Sequence, residues 1–168
     1  KSSGVLIMDI CIHDLDLCRW YSKSEAVEVY ARGGVIRYPE LGRIGDLDHV
    51  DISIRFANGF LATVEGSRNS RYGYDVRTEV VTTEGAFFIG PLGDSSLQAC
   101  FSSGMYKAPI DGFLTRFEQA YYEELVSFID HLREGKEPSV TVEDALRAQL
   151  LAQAAQKSLE RNRPVLLA

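Results

Sequence analysis

Asp9 and His13 stand four residues apart in a stretch, Met8 to Trp20, that contains neither glycine nor proline. At the helical turn of about 100° per residue, Asp9, His13, Asp16 and Trp20 fall in a stripe roughly 60° wide, with Ile7, Cys11, Leu15 and Cys18 opposite. That spacing brings a carboxylate and an imidazole within reach of a hydrogen bond or charge pair. A carboxylate beside an imidazole favours the charged ring and fixes its tautomer, which a base needs when it takes a proton from a hydroxyl. The arrangement suits alcohol oxidation. The competing reading is an amphipathic helix with a solvated acidic face, since two residues at this spacing are common.

The elements that must hold these groups follow from periodicity. Val5 to Tyr21 reads as an apolar lead-in and a helix ending at Ser22 and Lys23, and Ala26 to Arg32 alternates as a strand does. Pro39 to Asp48 reads as a loop. His49 to Phe56 sets Val50, Ile52, Ile54 and Phe56 on one face; Asn58-Gly59 supplies a two-residue hairpin turn, and Phe60, Ala62 and Val64 continue the alternation. Asp75 to Thr83 and Ala86 to Ile89 form a second pair around Glu84-Gly85, and Leu97 to Ser102 is a further strand. Leu114, Phe117, Tyr121, Leu125, Phe128 and Leu132 recur at helical spacing, ending near Gly135. Thr141 opens a capping-box start with Asp144 for a helix running to about Arg161, and Pro164 to Leu167 returns as an edge strand. The expected class is α+β: a mostly antiparallel, open-faced sheet with helices packed on one face, in one domain.

Composition narrows the function. The 168 residues carry 18 basic and 24 acidic side chains, a formal net charge of -6, and neither end has a basic block, which argues against nucleic-acid and anionic-membrane partners. Three cysteines, Cys11, Cys18 and Cys100, have no CxxC spacing, so neither a disulfide framework nor a zinc site is expected, and a reducing cytoplasm fits. No stretch reaches the roughly 18 apolar residues of a membrane span. The chain opens at Lys1 with an apolar, core-like run, VLIMDICI, as if entered in mid-fold.

The Asp-x-x-x-His-Asp-x-Asp run resembles a stretch of the glucose-fructose oxidoreductase and inositol dehydrogenase family, with Gly4, Asp9, His13, Asp14 and Asp16 in matching places. The likeness continues through Glu28-Val29-Tyr30-Ala31, Phe56-Ala57-Asn58-Gly59, Ser67-Arg68, Tyr72-Gly73-Tyr74-Asp75, Ala155-Gln156-Lys157-Ser158-Leu159 and Arg163-Pro164-Val165. The tyrosine-containing and the Ala-Gln-Lys-Ser-Leu runs look closest to the inositol dehydrogenase branch. The resemblance implies that residues 1–168 are the C-terminal, substrate-binding domain of an NAD- or NADP-dependent dehydrogenase acting on a secondary hydroxyl of a cyclic polyol or sugar. It implies His13 as general base, Asp9 as the carboxylate that binds substrate and tunes the base, and Tyr72 and Tyr74 near the substrate. Strand-end aromatics closing the core are the other reading of the two tyrosines. Dimers or tetramers through an uncovered, apolar sheet face are also implied.

The departures from the family are informative. No G-x-G-x-x-G follows a strand, so the cofactor is expected on a dinucleotide-binding domain outside this sequence, along with the family's catalytic lysine. Gly135-Lys136-Glu137-Pro138 has the wrong order for that lysine segment and reads as a helix exit. Two rivals remain. One is a metal site drawing on His13, Asp14, Asp16, Asp46, Asp48 and His49, although Asp46 to Asp51 reads as a solvated loop. The other is a non-catalytic ligand-binding or oligomerisation module of the same fold.

Overall fold

A computed structural model describes residues 5–71, 73–90, 98–101, 104–107 and 112–167, so Gly4 and Tyr72 lie outside the described residues, as do both ends of the expected strand Leu97 to Ser102. The chain forms two units, one of Lys1–Asn69 with Ser139–Ala168 and one of Ser70–Pro138.

The first unit is built on a sheet. Strands β1 (Ala26–Gly34), β2 (His49–Phe56) and β3 (Leu61–Ser67) pair antiparallel, and a two-residue strand at Val165–Leu166 adds to the other edge of β1. A π-helical segment, Ile7–Cys11, runs into α1 (Ile12–Ser22), where a single regular helix was expected. Within the loop before β2 lies a short helix not anticipated from sequence, α2 (Pro39–Arg43), which begins at a proline because the first helical N–H needs no partner. The last long helix, Val142–Arg161, starts at Thr141 with the expected capping box: the Thr141 backbone N–H donates to Asp144 Oδ2 at 2.9 Å, and the Asp144 N–H donates back to Thr141 Oγ1 at 3.4 Å.

Val29, Ala31, Val50, Ile52, Ile54, Phe56 and Val64 form the buried face of the sheet, against Leu6, Ile7, Cys11 and Leu15 from one helical segment and Leu151, Ala152 and Ala155 from the other. Helices on one face of an antiparallel sheet are what the periodicity requires. The opposite face is not the apolar surface expected: Glu28, Tyr30 and Arg32 lie beside Ser53, Asp51 and Arg55, with Thr63 and Glu65 beyond. Arg55 pairs with Glu28 at 3.3 Å across strands. Strict alternation exposes the charged set once the apolar set is buried.

The β2–β3 turn differs from the two-residue form. Gly59 N–H donates to Phe56 C=O at 3.0 Å, Phe56 N–H donates to Phe60 C=O at 2.9 Å, and only Gly59 in the turn has positive φ, 88°. A two-residue turn needs two left-handed residues and would shift the register by one. The three-residue loop keeps Phe56 and Phe60 on one face, their rings edge-on at 5.7 Å.

Ser158, fully buried, repairs the ladder where the short edge strand ends. Its hydroxyl accepts from Ala31 N–H at 3.0 Å and donates to Arg163 C=O at 2.7 Å. Ser158→Ala leaves a buried backbone donor unpaired and is expected to lower stability by about 1–3 kcal/mol, read from urea midpoints. Ser158→Thr, which retains the hydroxyl, separates that loss from crowding.

In the second unit, β4 (Thr78–Val81) pairs with β5 (Ala86–Ile89) and β6 (Gln98–Phe101) with β7 (Gly104–Lys107), each a separate two-stranded sheet. The expected single helix breaks at Phe117 into α3 (Phe113–Arg116) and α4 (Glu118–Glu134), α4 closing at Gly135 with φ 63°. The Val142–Arg161 helix is thus α5 and the Val165–Leu166 strand β8.

Candidate functional site

Asp9 lies in the middle of the π-helical segment and His13 one residue into α1. π-helical turns are rare and frequent at functional sites. The wheel is right about the faces, since Ile7, Cys11 and Leu15 are buried while His13 and Trp20 are exposed. The wider turn changes the spacing on which the pairing argument rests, and no hydrogen bond or ion pair joins Asp9 to His13 among the described residues. Asp9 instead faces Arg68 at 3.5 Å.

The seat of this segment is Gly66. A Cβ there would collide with Cys11 Sγ and press on Val50, so only glycine lets the helical segment rest on β3. Arg68, two residues on, then emerges at the strand end under Asp9. Its guanidinium also hydrogen-bonds Asp46 at 3.3 Å.

Asp46 and Asp48 are buried, which corrects the solvated loop expected of Asp46 to Asp51. Both carboxylates are occupied with backbone donors. Asp46 Oδ1 accepts from Leu6 N–H and Leu47 N–H, each at 2.7 Å, and so fixes the start of the helical segment. Asp48 accepts from Ile36, Arg37 and Tyr38 N–H at 2.8, 2.6 and 2.8 Å. Burial pushes the Asp48 carboxyl up, but the three N–H donors outweigh it and hold the group below the usual carboxylate range. The stability this gives is complete above the ordinary aspartate value of about 3.9 and is lost as pH falls through the depressed folded value. The acid side of a Tm-against-pH curve should flatten in Asp48→Asn; an unchanged acid slope would remove Asp48 as its source.

The other candidates are placed as follows. Asp14 is half-buried; burial raises its carboxyl and the neighbouring His13 lowers it. Burial and Asp14 push the Cys11 thiol up to about 12 and Cys18 to about 11, so neither is a nucleophile. Asp16 is joined to Arg19 at 3.3 Å, and Arg19 also grips Glu25 with both ends of its fork, at 2.8 and 3.2 Å, and the Asp144 carbonyl at 3.3 Å. An open cleft of about 800 Å³ lies here, lined by Asp16, Arg19, Trp20, Lys23, Glu25 and Val140, and it includes neither Asp9 nor His13. Its arginine is committed to tying α1, β1 and α5 together. Tyr74, in the second unit, packs edge-on against Phe117 at 6.3 Å and near Phe113 at 6.5 Å. Among the described residues no three His, Cys, Asp or Glu side chains converge as metal ligands, and no helix is long and apolar enough to cross a membrane. Sequence reasoning named Arg68 only within the family likeness and Asp46 only as a possible metal ligand, and missed that the two meet beside Asp9.

The sequence and the fold are similar to those of known proteins. The chain is 37% identical over 168 residues to myo-inositol 2-dehydrogenase of Thermotoga maritima, covering 99% of this chain and 50% of that one. It is 37% identical over 167 residues to scyllo-inositol 2-dehydrogenase (NAD(+)) of Bacillus subtilis, covering 99% and 49%. A solved structure of scyllo-inositol dehydrogenase from Lactobacillus casei, with bound NAD(H) and scyllo-inositol, superposes with a TM-score of 0.92 at 29% identity, covering 98% of this chain and 48% of that one. The chain therefore spans about half the length of the curated relatives it matches. Residues 1–88 match the family of GFO/IDH/MocA C-terminal domains, and the chain belongs to that family.

Proposed function

We propose that this chain is the substrate-binding and catalytic half of an NAD- or NADP-dependent oxidoreductase that oxidises a secondary hydroxyl of a cyclic polyol or sugar, inositol-like in shape. The observation that carries the reading is family membership together with an imidazole and a carboxylate on one helical segment, in a chain similar along its whole length to inositol dehydrogenases. Oxidation of a carbinol removes a proton from oxygen and a hydride from carbon. His13, exposed on α1, takes the proton at a ring nitrogen; Asp9, one-third exposed and facing Arg68, accepts a hydrogen bond from a substrate hydroxyl.

None of the described helices begins at a glycine-rich turn after a strand, so these residues do not fit a dinucleotide. The cofactor, which serves as hydride acceptor, is assigned to a dinucleotide-binding domain outside this sequence. The free thiols of Cys11 and Cys18 support a reducing, cytoplasmic setting. Pairing of copies into dimers or tetramers is supported by the exposed Val81, Phe87, Phe88 and Ile89 of the β4–β5 hairpin. The test is a screen of the full-length protein against inositols and aldoses with NAD and with NADP, following reduced nicotinamide by absorbance. Reduction with an inositol upholds the reading; none with any polyol or sugar ends it.

A further inference from the structure

Asp9 is carried by a segment whose hydrogen-bonding is the wide π form, held at its start by Asp46 and seated against Gly66. One nitrogen of Arg68, Nη2, lies 3.5 Å from Asp9 Oδ2 and 3.3 Å from Asp46 Oδ2. The arginine is fixed from behind as well, its backbone N–H donating to Asp48 C=O at 2.9 Å. Its Nε is buried and, among the described residues, makes no hydrogen bond. Stability alone does not favour an arginine with a buried, unpaired donor. The contact does constrain the direction of one carboxylate, since Oδ2 of Asp9 is turned to Arg68.

We propose that Arg68 is a positioning residue, which orients Asp9 for the polyol by clamping it to the buried Asp46. This rests on the assignment of Asp9 to substrate binding made above. The contacts link Asp9 through Arg68 to a buried carboxylate, and misplacement of a reacting group by about 1 Å costs on the order of a hundredfold in rate.

The test uses the full-length protein with myo-inositol and scyllo-inositol as probes. Arg68→Gln is expected to lower kcat/KM for the inositol about ten- to hundredfold, with KM for the cofactor unchanged, and Arg68→Lys to recover part of the loss. A clamp that acts through Asp9 has nothing left to position in Asp9→Asn, so Arg68→Gln on that background should cost little more. A merely structural arginine would lower Tm and give losses that add to those of Asp9→Asn, and that result overturns the proposal. Should Arg68→Gln fail to fold, Arg68→Lys alone and with Asp9→Asn carries the same comparison. An active parent protein indifferent to Arg68→Gln overturns this inference alone, while a parent inactive on every polyol overturns both it and the assignment of Asp9.

Discussion

His13→Ala in the full-length protein is expected to lower turnover of an inositol about 10²- to 10⁴-fold, the usual worth of a positioned general base, while KM for the cofactor stays nearly unchanged. The expectation follows from where the ring stands. His13 is exposed on the first turn of α1, outside the packed cluster of Leu6, Ile7, Cys11 and Leu15, so its loss removes no core contact and, among the described residues, no hydrogen bond of the fold. The chain should fold as before. Melting temperature and cofactor titration serve as controls, and steady-state kinetics read the effect. Added imidazole should restore part of the rate to His13→Ala by entering the space the side chain leaves. A variant as fast as its parent would remove His13 from the mechanism.

Why the sequence yields the architecture so readily, and the site less so, is visible in particular residues. Period two in His49 to Phe56 and period 3.6 in α5 are properties of the whole element, so burial of one face follows from composition alone. The capping box at Thr141 and Asp144 is equally local. The β2–β3 turn shows the limit. Asn-Gly favours two residues, yet Phe56 and Phe60 can share the core face only across an odd loop, and the core prevails. The alternation of Phe60, Ala62 and Val64 already held that information.

The polar network was less legible because its parts are distant in sequence. Leu6 and Asp46 are joined across 40 residues and Arg68 and Asp46 across 22, and no periodicity links them. A run with aspartates at 46, 48 and 51 and a histidine at 49 looks like a solvated loop until the backbone donors that it satisfies are known. The π-helical turn had no signal of its own. Nothing in Ile7–Cys11 forbids an α-helix, and the surface that this segment packs on, Gly66 against Cys11, belongs to a strand more than fifty residues later.

Asp46→Ala is expected to be the most damaging single change outside the apolar core, lowering stability by about 3–5 kcal/mol. Three separate losses contribute. Leu6 N–H, at the head of the segment that carries Asp9, loses the one acceptor it has among the described residues, in a buried position, and Leu47 N–H loses one beside it. Arg68, its Nε without a hydrogen-bond partner among the described residues, loses its 3.3 Å partner and keeps the longer contact to Asp9. Asp46→Asn distinguishes these terms. An amide retains the oxygen that accepts from Leu6 and Leu47, so it should recover a large part of the stability, but it turns an N–H₂ toward Arg68 and cannot restore the clamp. Urea unfolding of the parent and both variants therefore separates the anchoring of the helix from the holding of the arginine. A cost below about 1 kcal/mol for Asp46→Ala, the net worth of one ordinary hydrogen bond, would mean that the π-helical segment is held in place by its contacts with β3 alone.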